Sequence, residues 1–278
     1  MKKVRLVADS SADIYAIDGV EFATAPLKIC TSEREFVDNE ALDTEVMVKY
    51  LDGYKGRSTT SCPNAEDWLR AFGDAEEVFC VTMTSTLSGT YNSACLAKRL
   101  YEEANEGRRV CVIDSLSTGP EMSLILHKIA ELVREERSFD EICAAAEEYK
   151  SSTGLLFMLE SMKNLANNGR VSKIVAKIAG IMGIRVVGKA SDKGDLEPLD
   201  KPRGLKPTLT KISERLVELG YRGGKMIITH CLNLSAAEAL KEKMQQLFHD
   251  ACISVRKCGG LCSFYAEQGG LLIGFEKA

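Results

Sequence analysis

Short apolar runs alternate with amphipathic stretches along the first half of the chain. Val4–Ala8, Ala25–Cys30, Val78–Thr82 and Arg109–Ile113 read as strands. Between them lie segments with helical periodicity and recognisable ends. Asp43 is placed to cap a helix through Leu51. Asn64 caps another, with Glu66 and Asp67 in its first turn, where the helix dipole favours negative charge. Gly73 ends that helix. Gly89 opens a third, running to about Glu103, and two more are expected near Glu121–Glu135 and Phe139–Lys150. Arg57–Asn64 reads as a polar loop. Strand–loop–helix units in series predict right-handed crossovers and a parallel sheet flanked by helices.

The second half has a different pattern. Leu155–Leu159 is a strand leading into a helix that ends near Asn167-Asn168-Gly169-Arg170, and a further helix is expected over Val171–Met182. Arg185–Lys189 and Leu196–Leu199 flank a Lys193-Gly194 turn and predict a hairpin. A helix at Lys206–Gly220, a strand at Lys225–Thr229 and a helix at Ser235–Phe248 follow. Cys252–Val255 and Leu271–Phe275 complete the strands. The expected architecture is α/β: an N-terminal domain, residues 1–150, with a parallel sheet flanked by helices, and an α+β domain, residues 151–278, with a mixed sheet.

A chain of 278 residues with 45% apolar and 27% charged positions has an ordinary globular composition. Its net charge of −4 gives no electrostatic footprint for nucleic acid or anionic lipid. The longest membrane candidate, Ile174–Gly188, is short of the roughly 20 apolar residues of a span and carries Lys177 and Arg185. Arg5 and Asp9 interrupt the only stretch resembling a signal peptide, so a cytoplasmic location is expected. The ten cysteines contain no C-x-x-C and no zinc-site spacing, and read as reduced structural thiols.

Few motifs carry chemistry. Gly183–Ala190 nearly matches a phosphate-binding loop, but Ala190 stands where a magnesium-ligating hydroxyl is needed and the interior is β-branched. Two hydroxyl-rich loops, Ser58–Ser61 and Thr84–Thr90, precede helices at the edge where open sheets collect ligands. They either cap helices and fill turns or converge on a carboxylate or phosphate. Arg170, after a helix-ending glycine, is a surface charge or closes an anion site from the second domain. Of the three histidines, His230 follows an apolar strand, whereas His127 and His249 are expected within helices. Nothing places one beside Ser88, as a Ser-His-Asp hydrolase requires.

Together these segments resemble the DegV family of bacterial fatty-acid-binding proteins over nearly the whole chain. Val7–Asp13 is similar to the family's opening V-D-S-x-A-D, and Thr60-Ser61-Cys62-Pro63-Asn64 to its T-S-Q-P-S loop. Ser85–Ala94 matches S-x-L-S-G-T-Y-x-S-A. Val112–Ser115 and Asn168–Lys173 follow in order. The resemblance implies one long-chain fatty acid, such as palmitate or stearate, buried between the two domains. It implies no cofactor and no catalytic residue, and a separate fatty acid kinase as partner. It places the carboxylate contacts on Thr60 and Ser88, with Arg170 from the second domain and Ser61, Gly89 and His230 as head-group neighbours. An acyl-ester hydrolase or transferase on the same scaffold, or a carrier of another lipid head group, is the alternative.

One position departs from the family. In its T-H-x-G-P-G-x-x-G-F segment the His aligns with Glu267. An ionised Glu about 4 Å from a ligand carboxylate costs about 4 kcal/mol at an effective dielectric near 20. Glu267 is therefore protonated, paired with Arg170, turned away from the head, or at the solvent edge. The tail wall is expected from Leu27, Ile29, Phe157, Ile174, Ile178, Ile181 and Met182, residues that ordinary core packing explains as well.

Overall fold

The computed structural model of the protein describes residues 2–172 and 183–278. Four parallel strands form the first sheet, in the order β2-β1-β6-β7: β1 (Val4–Asp9), β2 (Glu21–Ala25), β6 (Glu77–Thr82) and β7 (Arg109–Asp114). Every residue of β6 is buried, because helices cover both faces. Leu6, Ala8, Phe79 and Val81 face one core with α4 (Pro120–Arg134) and α5 (Phe139–Ser151). Val7, Val78 and Cys80 face the other, with α2 (Ala65–Phe72) and α3 (Thr90–Ala104). The period of two along each strand sorts these side chains.

The second sheet is mixed and has six strands, β10-β9-β8-β13-β11-β12. They are β8 (Thr153–Leu159), β9 (Val186–Ala190), β10 (Leu196–Asp200), β11 (Met226–His230), β12 (Ile253–Lys257) and β13 (Leu271–Glu276). Leu156, Met158, Ile228 and Ile273 pack beneath α7 (Leu205–Glu218) and α8 (Leu234–Leu247). The opposite face presents Leu155, Phe157, Leu159 and Leu272 toward the first half of the molecule. α4 packs on β13. Gly274 permits this, since a Cβ there would lie 2.5 Å from Glu121 N.

The parallel sheet, the β9–β10 hairpin and the mixed sheet agree with the pattern of the sequence. Several elements depart from it, β2 among them, since no strand is expected over residues 21–24. The expected strand Ala25–Cys30 divides at Pro26, which has no N–H for a ladder; only the residues after it form β3 (Lys28–Cys30). β3 pairs antiparallel with β4 (Glu35–Val37) and with β5 (Thr59–Ser61), which lies inside the segment read as a polar loop. His249 lies in a turn beyond α8, not within a helix. α1 (Thr44–Gly53) and α6 (Lys163–Asn167) form near their expected places, whereas most of the helix expected over 171–182 lies outside the described residues.

A further departure is α9 (Gly260–Ala266), a short helix whose two opening glycines give no periodic signal. Two buried carboxylates from the first half hold it. Asp13 Oδ1 accepts the Gly259 N–H at 2.9 Å. Asp38 accepts the N–H groups of Gly260 and Leu261 at 2.7 and 2.9 Å, and the Tyr15 hydroxyl at 3.0 Å. These are the amides a helix leaves unsatisfied at its start. Gly260 is required for the approach: a Cβ there would lie 2.7 Å from Asp38 Oδ1.

Asp38→Ala strands two buried amides and a phenol. It is expected to destabilise the protein by about 2–4 kcal/mol, read as a lower midpoint of urea unfolding with an unchanged slope.

Candidate functional site

The carboxyl ends of the parallel strands face the apolar side of the mixed sheet, and a narrow apolar cavity lies between them. Leu27 follows β2, Met83 follows β6 and Thr118 follows β7; each lines the cavity. Leu155, Phe157 and Leu159 line it from alternate positions of β8, joined by Leu272 of β13. α9 supplies Leu261, Cys262, Tyr265 and Ala266. The wall is overwhelmingly apolar, with few polar groups.

Those polar groups include Thr60, Ser88 and Arg170, which the fold brings to the one cavity from β5, from the loop before α3, and from the segment after α6. The Thr60 hydroxyl and the Tyr265 phenol are hydrogen-bonded at 2.8 Å. Ser88 Oγ lies 2.7 Å from Thr90 Oγ1. Arg170 Nε donates to the Leu87 carbonyl at 3.1 Å, and Nη1 donates to the Asn168 carbonyl at 2.6 Å. Its guanidinium lies 5.8 Å from the Tyr265 ring centroid. Among the described residues, the Arg170 partners are neutral carbonyls and an aromatic face, which do not compensate its charge.

The loop carrying Ser88 is fixed from three sides. Asp9 accepts the Met83 N–H at 2.7 Å, Asp114 accepts the Ser85 N–H at 3.2 Å, and Thr86 Oγ1 donates to the Gly194 carbonyl at 2.9 Å. The last of these ties the loop to the turn between β9 and β10. Such locking leaves Ser88 little freedom to lose when a ligand arrives.

Four expected head-group neighbours do not line the cavity. Ser61 is exposed, since it alternates with Thr60 along β5. Gly89 is the cap residue of α3, and its Cβ direction faces Cys62. His230 is buried within β11, where its Nδ1 accepts the Asn233 N–H and burial lowers its pKa. Glu267 turns away, and its carboxylate accepts the Asn164 N–H at 3.0 Å instead of pairing with Arg170. Burial raises its pKa.

Of the expected tail wall, Leu27 and Phe157 line the cavity. Ile29 is buried in the adjoining core but does not line it. Ile174, Ile178, Ile181 and Met182 lie outside the described residues. Tyr265 was missed, having no signal beyond one phenol in an apolar run. Asp13 and Asp38 were also missed, although Asp13 closes the V-A-D-S-S-A-D motif at the amino end.

The cavity's support is electrostatically costly. Burial, and then the charge of Asp38, raises the Asp13 pKa to about 8. Burial raises that of Asp9 to about 6. Burial, then Asp13, drives the Cys262 thiol well above its ordinary range, so this cavity-lining sulfur is an inert apolar group.

The family profile described as uncharacterised protein, DegV family, matches residues 3–278. A DegV domain-containing protein of Streptococcus pneumoniae (strain ATCC BAA-255 / R6) is 40% identical over 276 residues, 98% of each chain. The structure is similar to that of a DegV family protein from Eubacterium eligens loaded with heptadecanoic acid. The TM-score is 0.97 at 44% identity, covering 99% of this chain and 100% of that one. It is equally similar to the Streptococcus pneumoniae Fatty Acid Kinase (Fak) B3 protein loaded with linoleic acid, with TM-score 0.97, 39% identity and the same coverage.

The raised Asp13 pKa sets a pH dependence. An unfolded Asp titrates near 3.9, whereas native Asp13 keeps its proton to about pH 8. Between these values the native state holds the extra proton. The contribution of this group is therefore fully present below about pH 4 and is lost as pH rises toward 8. Asp13→Asn keeps the acceptor for Gly259 and removes the titration. The variant's urea midpoint is expected to gain on the wild type's steadily from pH 5 to pH 8; a constant difference overturns this account.

Proposed function

The chain belongs to the DegV family, and from that premise we propose that its cavity holds one long-chain fatty acid, which the protein carries without transforming. The observation that carries this reading is the distribution of polarity. Thr60, Ser88 and Arg170 offer a charge and two hydroxyls to a carboxylate, and apolar side chains such as Leu155, Phe157, Leu159 and Leu272 make up most of the remaining wall. A guanidinium and neutral hydroxyls suit an anion, because hydrogen bonds to an ionised group are roughly twice as strong as neutral ones. A tail of about 16 carbons at about 0.8 kcal/mol per buried CH₂ contributes about 12 kcal/mol before ordering costs. The head therefore needs few contacts.

The loaded relatives support the ligand class: heptadecanoic acid in one and linoleic acid in the other. The second is named a fatty acid kinase B3 protein, which supports presentation of the acid to a separate kinase. The proposed carrier role leaves the acid's carboxylate intact until that partner acts. Ser88 fits it as a binding group, since its hydroxyl is paired with Thr90.

Purified from a bacterial host and denatured, the protein is expected to release one fatty acid per chain by mass spectrometry. Thr60→Ala combined with Ser88→Ala is expected to weaken binding at least tenfold and empty the site. Full occupancy of the double variant overturns the head assignment. Turnover of a fatty acyl ester that disappears with Ser88→Ala overturns the carrier role.

A further inference from the structure

Among the described residues Tyr265 is the one cavity-lining phenol, and it is bonded to a residue to which the reading above assigns the carboxylate. The pair holds two protons and two oxygens. Each hydroxyl has one proton to give, and Thr60 Oγ1 can accept while it donates. A phenol is far more acidic than an aliphatic alcohol, so it is the better donor of the two. Burial raises the Tyr265 pKa, which keeps that proton in place. With Tyr265 donating to Thr60 Oγ1, the Thr60 proton is left for a third atom.

We infer that Tyr265 is a positioning residue: its phenol orients the Thr60 hydroxyl toward the head group and thereby makes the site selective for a carboxylate over an uncharged head. This rests on the fatty-acid reading above. Three features of the structure set it apart from simple packing. The 2.8 Å bond joins β5 to α9 across 205 positions of the chain. Arg170 lies over the same ring, so one side chain contacts both the cation and the hydroxyl donor. Glu267, two positions on, is turned away and bonded to Asn164, which leaves this end of α9 represented at the cavity by the neutral phenol. A carboxylate gains from every aligned donor, because charged hydrogen bonds are roughly twice as strong as neutral ones. An alcohol of the same chain length gains little from the alignment.

The test uses full-length protein stripped of lipid and titrated with palmitic acid and with hexadecanol. Tyr265→Phe keeps the ring and the Arg170 contact and removes only the hydroxyl. It is expected to weaken palmitate about tenfold, a typical value for one hydrogen bond to a charged group, and to change hexadecanol by about twofold or less. Added to Thr60→Val, it is expected to cost palmitate nothing further, since both changes break one relay. Thr60→Val alone tests the same relay from the other side if Tyr265→Phe folds poorly. Equal losses for acid and alcohol, or full additivity with Thr60→Val, overturn the inference, as does unchanged palmitate binding in Tyr265→Phe. Wild-type protein that takes up no fatty acid overturns the premise instead, and the same titration shows which has failed.

Discussion

Two buried carboxylates carry the rest of the structure. Asp13 and Asp38 reach from the first half of the chain to the opening amides of α9 in the second. Placing two like charges in a dry site is unfavourable, and three N–H donors and the Tyr15 hydroxyl offset only part of that. The remainder appears as the raised pKa of Asp13, which stays protonated beside its neighbour. What the clamp achieves is orientation. A seven-residue helix is too short to hold a fixed rotation by itself, yet four of its residues line the cavity.

The cavity follows from how the two sheets are covered. Helices close both faces of the parallel sheet, so its free ground is at the strand ends, where Leu27, Met83 and Thr118 emerge. The mixed sheet is covered by α7 and α8 on one face only. Its other face brings Leu155, Phe157, Leu159 and Leu272 against those strand ends. Two half-finished surfaces thus make one apolar enclosure. The hydroxyls and the guanidinium enter from its rim, on a strand and loops held by bonds to Tyr265, Asp9, Asp114 and Gly194.

Much of this was legible in the chain. The alternation of strand and helix announced the parallel sheet, the Lys193-Gly194 turn announced the hairpin, and the motifs around Thr60, Ser88 and Arg170 named three residues that meet at one cavity. What escaped had physical reasons. β4 and β5 are three residues each, too short to show a period, and β5 is all hydroxyl residues like a loop; only pairing with β3 makes them strands. α9 opens on Gly259-Gly260, residues that disfavour helix locally and are tolerated because Asp38 must approach closely.

The order of elements, the fold class, the family and the hydroxyl loops were determined by the sequence alone, because periodicity, caps and motif spacing are local properties of the chain. Which side chain of the Tyr265–Glu267 segment faces the ligand cavity was decided only in three dimensions. Alignment pointed to Glu267. Positions two apart on a helix differ by about 200° around its axis, and Glu267 stands just past the helix end at a φ of 54°. Once Asp13 and Asp38 set the rotation of α9, Tyr265 turns inward and Glu267 outward. The residues that set that rotation lie more than 220 positions away in the chain, beyond the reach of any local pattern.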